Sequence, residues 1–149
     1  MKFRIAVNCT DEIAPCLQKG LKALSGAHRN NVESANPRRV TGSVNIDDAL
    51  KAVYPNANRW DYAIGYYINN QEDKVFFVEF HKAIVDEVSR VIKKKQWLEN
   101  WIRGKPLDNL LKRKFVWIST GAIKIPQNSS SRRILNKNGL ILVPHLKLD

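Results

Sequence analysis

The chain has 149 residues, of which 44% are hydrophobic and 26% are charged. These proportions are typical of one globular domain, and they exclude a disordered chain and a bundle of membrane helices. No apolar run approaches the roughly 20 residues that cross a bilayer, and the first apolar stretch is too short for a signal peptide. We therefore expect a single cytoplasmic domain, residues 1–149, with no membrane attachment.

The charge of the chain is strongly positive, since 25 Lys and Arg residues outnumber 14 Asp and Glu residues and give a formal charge of +11. Residues 1–83 contribute 11 basic and 9 acidic groups, whereas residues 84–149 contribute 14 basic and 5 acidic groups. Such an excess attracts polyanions, so nucleic acid is the expected partner and the second half is its expected contact surface. A solvated surface that binds nothing specifically is the alternative.

The first part of the chain, residues 1–44, is predicted to hold a helix and a polar loop. Residues 3–7 have the composition of a short strand, and apolar residues at helical spacing predict a helix from Thr10 to about Leu24. Residues 25–39 are rich in Gly, Asn and Pro, which favours a loop within the same domain.

Residues 45–81 contain the most informative pattern. Asn45 is a predicted N-cap for a short helix over residues 46–53. Residues 59–68 and 74–81 are rich in aromatic and β-branched side chains and flank a polar segment, which predicts an antiparallel hairpin. A turn centred on Gln71 would place Asp61 opposite His81 and Ala63 opposite Glu79.

Strand parity divides the hairpin side chains between two faces. One face is strongly apolar and is expected to pack under a helix; the other carries small residues beside the ionisable side chains Asp61, Glu79 and His81. A shift of one residue would mix the two sets, so burial selects this parity.

The rest of the chain alternates between helices and strands. A helix is predicted over residues 83–102, a strand over 115–120, a helix start at 129–135 and a strand over 140–144. From Trp60 onward the order is β, β, α, β, α, β. This order predicts a mixed α/β sheet in which the later strands are parallel and the hairpin adds an antiparallel strand.

Asp61, Glu79 and His81 are the candidate catalytic residues. Two carboxylates on one sheet face are suited to hold Mg²⁺ or Mn²⁺, and a nearby imidazole can handle a proton. The predicted chemistry is phosphodiester hydrolysis, with Asp61 and Glu79 as metal ligands. For Asp61 the alternatives are a strand-end cap or an ion pair with Arg59.

This arrangement resembles the PD-(D/E)XK nuclease superfamily, whose core has an acidic residue near one strand and an E-x-K triplet on the adjacent hairpin strand. The resemblance implies a restriction-endonuclease-like core over residues 45–149, with Asp61 as the first acid and Glu79 as the second. His81 stands where the superfamily has lysine, and Lys82 is one position further. Either His81 serves as the base, or a bulge turns Lys82 inward, or activity is lost.

The chain is also similar to a group of small uncharacterised bacterial proteins, and this second resemblance implies no activity. Its motifs are a Gly-Ser-Val helix start, a Trp-Asp-Tyr strand, a Val-Glu-x-His strand end and a Trp-Leu-x-x-Trp helix. They correspond here to Gly42-Ser43-Val44, Trp60-Asp61-Tyr62, Val78-Glu79-Phe80-His81 and Trp97-Leu98-Glu99-Asn100-Trp101.

The predicted function is metal-dependent hydrolysis of nucleic acid, DNA or RNA. The alternative is a catalytically inactive domain with the same core that binds nucleic acid or a protein partner, including a second copy of itself. The predicted nucleic-acid contacts are basic residues of the second half, two of them following a serine-rich helix start suited to an anion. They are Arg90, Lys93, Lys94, Lys112, Arg113, Lys114, Arg132 and Arg133.

Overall fold

The computed structural model describes all 149 residues and contains a five-stranded mixed sheet, which confirms the predicted α/β class. The strand order is β2-β3-β4-β5-β6. The pairs β2–β3 and β3–β4 are antiparallel, and the pairs β4–β5 and β5–β6 are parallel. A separate two-stranded parallel sheet joins β1 to β7. The strands are β1 (Val32–Ser34), β2 (Val40–Asn45), β3 (Tyr62–Tyr67), β4 (Asp73–His81), β5 (Arg113–Ser119), β6 (Leu140–Val143) and β7 (Leu146–Leu148).

Five α-helices accompany the sheets, and two of them connect the parallel strands as predicted. The longest begins later than expected, because a 3₁₀ turn, Val85–Glu87, precedes it. No helix combines the length and the apolar character needed to cross a bilayer. The helices are α1 (Phe3–Asn8), α2 (Gly26–Arg29), α3 (Ile46–Leu50), α4 (Val88–Ile102) and α5 (Ser130–Lys137).

The strand predicted for residues 3–7 is wrong, since this segment forms α1. A carboxylate far along the chain caps this helix: Asp73 Oδ2 accepts the Phe3 N–H at 2.8 Å, and Asp73 Oδ1 lies 2.6 Å from Lys2 Nζ. Ile5, which a strand would bury beside Phe3, is 55% exposed. The alternating apolar residues are therefore an accident of composition, and a cap supplied by β4 decides the conformation.

The helix predicted from Thr10 to Leu24 is also wrong. Only a 3₁₀ turn, Ala14–Cys16, forms there, and the following chain runs beside the edge strand β2. Gln18 N–H donates to Ser43 O at 2.9 Å, and Ser43 N–H donates to Gln18 O at 3.0 Å. These two hydrogen bonds, with Pro15 inside the predicted helix, outweigh the helical spacing of the apolar residues.

The segment predicted as a loop, residues 25–39, contains α2 and β1, and the sequence reading also missed β2. These short elements depend on partners distant in sequence, since β1 pairs with β7 and β2 pairs with β3. The cap at Asn45 is confirmed, because its Oδ1 accepts the Asp48 N–H at 2.9 Å. The helix that it begins, α3, ends at Leu50, three residues earlier than predicted.

The hairpin of β3 and β4 forms, but its register differs from the prediction by two residues. Tyr62 pairs with Val78, and Tyr67 pairs with Asp73. Because the shift is even, every side chain of β3 and β4 keeps its predicted face, whereas Trp60, which precedes β3, joins the cluster of the opposite face. Asp61, which directly precedes β3, consequently lies opposite Glu79 rather than opposite His81.

Both faces of the hairpin are buried, and the helices cover the face opposite to the one expected. Ala63, Val75 and Phe77 share an apolar cluster with residues of α1 and α4. The strongly apolar face, including Ile64 and Val78, packs instead against residues of the two-stranded sheet. The face that carries Glu79 therefore lies beneath helices, and this position determines the environment of the site.

Candidate active site

Glu79 is the centre of the candidate site and is 0% exposed. Its Oε2 lies 2.6 Å from Lys94 Nζ, and its Oε1 accepts the Asp61 N–H at 3.1 Å. Burial of a carboxylate is costly unless the charge is paired and hydrogen-bonded, and both conditions are met here. Lys94 therefore compensates the negative charge that β4 carries into the interior.

Asp61 lies beside Glu79 at the beginning of β3. Its Oδ2 accepts the Phe80 N–H at 2.9 Å, whereas its Oδ1 has no partner. Burial and the adjacent Glu79 charge together raise the pKa of Asp61 to about 7, although the Phe80 hydrogen bond and Lys94 oppose the shift. The alternative pairing of Asp61 with Arg59 is wrong, because Arg59 Nε lies 2.8 Å from Asp47 Oδ1.

His81 lies on β4, two residues after Glu79, and has a carboxylate near each ring nitrogen. Nδ1 lies 3.4 Å from Glu79 Oε2, and Nε2 lies 3.0 Å from Glu87 Oε2. The hydrogen bond to Glu79 is the main cause that raises the pKa of His81. Since this shift favours the protonated ring, the arrangement suits a residue that positions Glu79 better than it suits a base.

Lys94, on α4, supplies beside Glu79 the positive charge that the nuclease resemblance would place on β4 itself. Lys82, which a bulge in β4 would have turned inward, is exposed and forms no ion pair with either carboxylate. The sequence contained a signal for Lys94, because it follows the buried Val91 by three residues and precedes the buried Leu98 by four. That spacing places its stem on the inward side of α4. The same spacing argument applies to Glu87, which precedes Val91 by four residues and was not predicted to belong to the site.

The other predicted nucleic-acid contacts are dispersed, and most are neutralised locally. Arg132 and Arg133 donate to the backbone oxygens of Ile125 and Asn128, at 3.2 and 3.3 Å, and Lys93 is exposed without a partner. Five of the eight predicted residues form ion pairs with acidic side chains. The pairs are Arg90 with Glu87 (3.4 Å), Lys94 with Glu79 (2.6 Å), Lys112 with Glu72 (2.8 Å), Arg113 with Asp108 (3.2 Å) and Lys114 with Asp149 (3.9 Å).

The serine-rich start of α5 has the geometry of an ordinary N-cap. Ser129 Oγ accepts the Arg132 N–H at 3.2 Å, which satisfies one of the free amide donors of the first helical turn. The two arginines that follow turn back to the preceding loop, so they do not converge on one anion position.

The oxygen donors of the site are compatible with a hard divalent cation. No group of three or more His, Cys, Asp or Glu side chains is arranged to hold a metal. Mg²⁺, however, is commonly held by only one or two carboxylates, with water and substrate phosphate completing its shell. Asp61 Oδ1 is the free donor, and a cation beside it would offset the negative charges of Asp61 and the adjacent Glu79.

No protein-family model, curated protein or solved structure matches this chain. The fold and the site define a mixed α/β protein with a carboxylate pair and a lysine at one end of its central hairpin.

Stability of the metal-free protein is expected to fall between about pH 5.5 and pH 7. The pKa of Asp61 in the folded protein is about 7 rather than its ordinary 3.8. The folded state therefore binds this proton more tightly than the unfolded state, and its advantage disappears as the pH rises. At 1.36 kcal/mol per pH unit, Asp61 contributes a loss of about 2 kcal/mol over this range.

Urea unfolding in EDTA at several pH values measures this dependence. In Asp61→Asn the slope should become shallower by the Asp61 contribution. What remains is the contribution of His81, whose raised pKa acts in the same direction, and that of His28, whose lowered pKa acts in the opposite direction. Equal slopes in the two proteins would contradict the raised pKa of Asp61.

Proposed function

We propose that this protein is a metal-dependent nuclease that hydrolyses phosphodiester bonds at the Asp61–Glu79 site. The observation that carries the proposal is the convergence of Asp61, Glu79 and Lys94. The Asp61 amide is bonded to Glu79 Oε1, and Lys94 lies on Glu79 Oε2. Two carboxylates with a lysine are the side-chain types that hold a divalent cation and stabilise a phosphate undergoing attack.

Each residue has a distinct role in this proposal. Asp61 and Glu79 would hold the cation, Asp61 through its free Oδ1. Lys94, whose side chain is 20% exposed, places a positive charge where negative charge develops on the phosphate. His81, held between Glu79 and Glu87, positions Glu79. A bound Mg²⁺ or Mn²⁺ would polarise the phosphate and lower the pKa of a coordinated water.

The order of elements also supports the proposal. The hairpin of β3 and β4 precedes α4 and the parallel strand β5, as the nuclease resemblance implies. Asp61 directly precedes β3, and Glu79 lies within β4. The lysine reaches the site from the helix that follows β4 rather than from β4 itself.

Cleavage of labelled DNA and RNA oligonucleotides in Mg²⁺, Mn²⁺ or EDTA tests the proposal. We expect metal-dependent cleavage by the wild-type protein and a loss of at least about 100-fold in Asp61→Asn, because several kcal/mol of charge stabilisation is removed. Asp86→Asn is the matched control, since Asp86 is exposed and forms no ion pair. Equal cleavage by wild type and Asp61→Asn would reject this site.

One observation favours the second candidate, an inactive domain that binds nucleic acid. Both oxygens of Glu79 already accept hydrogen bonds, and the residue has no exposed surface. On this alternative Lys94 is a permanent counter-ion rather than a catalytic group. Absence of cleavage by the wild-type protein in either metal, with oligonucleotide binding retained, would favour it.

A further inference from the structure

A groove runs along the edge strand β2. All of its lining residues lie within residues 1–83, the part of the chain with the smaller net charge. It consists of three adjoining cavities of about 340, 530 and 300 Å³. The first two share Arg4, and the second and third share Gln18 and Lys22. We call this the β2 groove and define it by those shared residues.

The β2 groove is positively charged in its middle section. Arg4, Lys19 and Lys22 line the 530 Å³ cavity together with the neutral Asn8 and Gln18, and no acidic residue lines it. All three cations are exposed and none forms an ion pair, whereas most of the cations predicted to bind nucleic acid are paired. Unpaired cations beside amide side chains are suited to successive phosphates, which need both charge and hydrogen-bond donors.

One end of the β2 groove approaches the candidate active site. The third cavity reaches Asn45 at the end of β2. Asn45 pairs with Tyr62, the residue after Asp61. The Asp61 carbonyl also accepts the Ile46 N–H at 2.8 Å. The groove therefore ends beside the backbone that carries Asp61, although Asp61 itself lines none of the three cavities.

The other end of the groove offers polar groups. Its wall includes the exposed Asn70 from the β3–β4 turn and Thr41, whose Oγ1 is itself buried. The acidic residue in this cavity, Asp73, forms an ion pair with Lys2 and caps the start of α1. The acid at the far end, Asp48, is held by Asn45. Neither carboxylate lines the 530 Å³ cavity, although Arg4 also borders the cavity of Asp73 and Lys22 that of Asp48.

We propose that the β2 groove binds the phosphodiester backbone of a nucleic-acid strand. The choice of nucleic acid rests on the proposed function, whereas the binding surface rests on the cavities and on the three unpaired cations. The main contact surface is thus in the N-terminal part of the chain rather than in residues 84–149.

Fluorescence anisotropy with a labelled single-stranded oligonucleotide of about 20 nucleotides, in EDTA and over a range of salt, tests this proposal. Arg4→Gln, Lys19→Gln and Lys22→Gln combined should weaken binding at least about tenfold. The salt slope should decrease by about 2, since each single-strand phosphate contact contributes about 0.7. The matched control combines Arg103→Gln, Lys137→Gln and Lys147→Gln, which are exposed, unpaired and outside the groove.

The control variant removes the same charge, so it should lose much less affinity and retain the wild-type slope. Equal weakening in both variants would show that only net charge matters and would overturn the proposal. Another result would also overturn the proposal: binding to anionic phosphatidylserine vesicles that depends on Arg4, Lys19 and Lys22, without binding to the oligonucleotide. Because binding is measured without metal, a wild-type protein that never cleaves would reject the proposed function while leaving the groove intact.

Discussion

Replacing Lys94 by methionine is expected to lower the free energy of unfolding by about 3 kcal/mol, the low end of the range for breaking a buried ion pair. The cause is Glu79, which is 0% exposed and would lose the charge that compensates it. The low end applies because the Lys94 side chain is 20% exposed, so water and His81 can replace part of its effect. Methionine keeps the stem of the side chain, so packing changes little. Urea unfolding at constant pH measures the difference.

Two further variants isolate the ion pair from the loss of charge on α4. Lys93→Met removes a neighbouring exposed lysine that has no partner and should change stability by less than about 0.5 kcal/mol. Adding Glu79→Gln to Lys94→Met should restore part of the lost stability, because the uncompensated buried charge is then absent. If Lys94→Met were as stable as Lys93→Met, the buried ion pair would not exist in solution.

Replacing Gly65 by alanine should cost about 3 kcal/mol, the upper part of the range for overpacking. Gly65 lies in β3 where α1 crosses the sheet, and a Cβ atom there would lie 2.3 Å from Phe3 Cγ and 2.4 Å from Thr41 Oγ1. Since the other side of the Phe3 ring is fixed by full burial, α1 would have to move outward.

Thermal unfolding of Gly65→Ala beside Gly26→Ala checks this expectation. A Cβ at Gly26 would meet nothing within 4 Å, and the position is in α2, where alanine is the better helix former. Gly26→Ala should therefore be as stable as the wild type or slightly more stable. Equal melting temperatures of the two variants would contradict the close approach of α1 to β3.

The elements predicted correctly are those specified by local pattern. The α4 periodicity, the apolar run of β5 and the turn residues around β6 act over short distances, and they were recognised with errors only at their ends. The register of β3 and β4 was wrong by two residues because the turn geometry, unlike the parity, is not encoded in the alternation of apolar side chains. Parity alone was enough to bring Asp61 and Glu79 to one face.

The N-terminal part was mispredicted because its conformation depends on distant partners. Asp73 caps α1 across 70 residues, and the edge strand β2 holds Gln18 in an extended position. Neither interaction leaves a local signal in the sequence. Composition favoured a strand for residues 3–7 and a helix after Thr10, and tertiary hydrogen bonds reversed both.

The candidate site was predicted in part for a related reason. Asp61, Glu79 and His81 share strands whose parity could be deduced, and the structure brings them together. Lys94 was assigned to phosphate contact because its charge was counted without its position on the inward face of α4. The net charges of the two halves of the chain likewise took no account of ion pairs, which neutralise cations such as Lys112 and Arg113.

Titration of Mn²⁺ into the wild-type protein and Asp61→Asn, followed by electron paramagnetic resonance of the free ion, tests the central claim most directly. If Asp61 and Glu79 form a cation site, the wild-type protein should bind Mn²⁺, and Asp61→Asn should weaken that binding at least about tenfold because the free carboxylate oxygen is lost. Equal Mn²⁺ affinity in the two proteins, or no binding by the wild type, would contradict the claim.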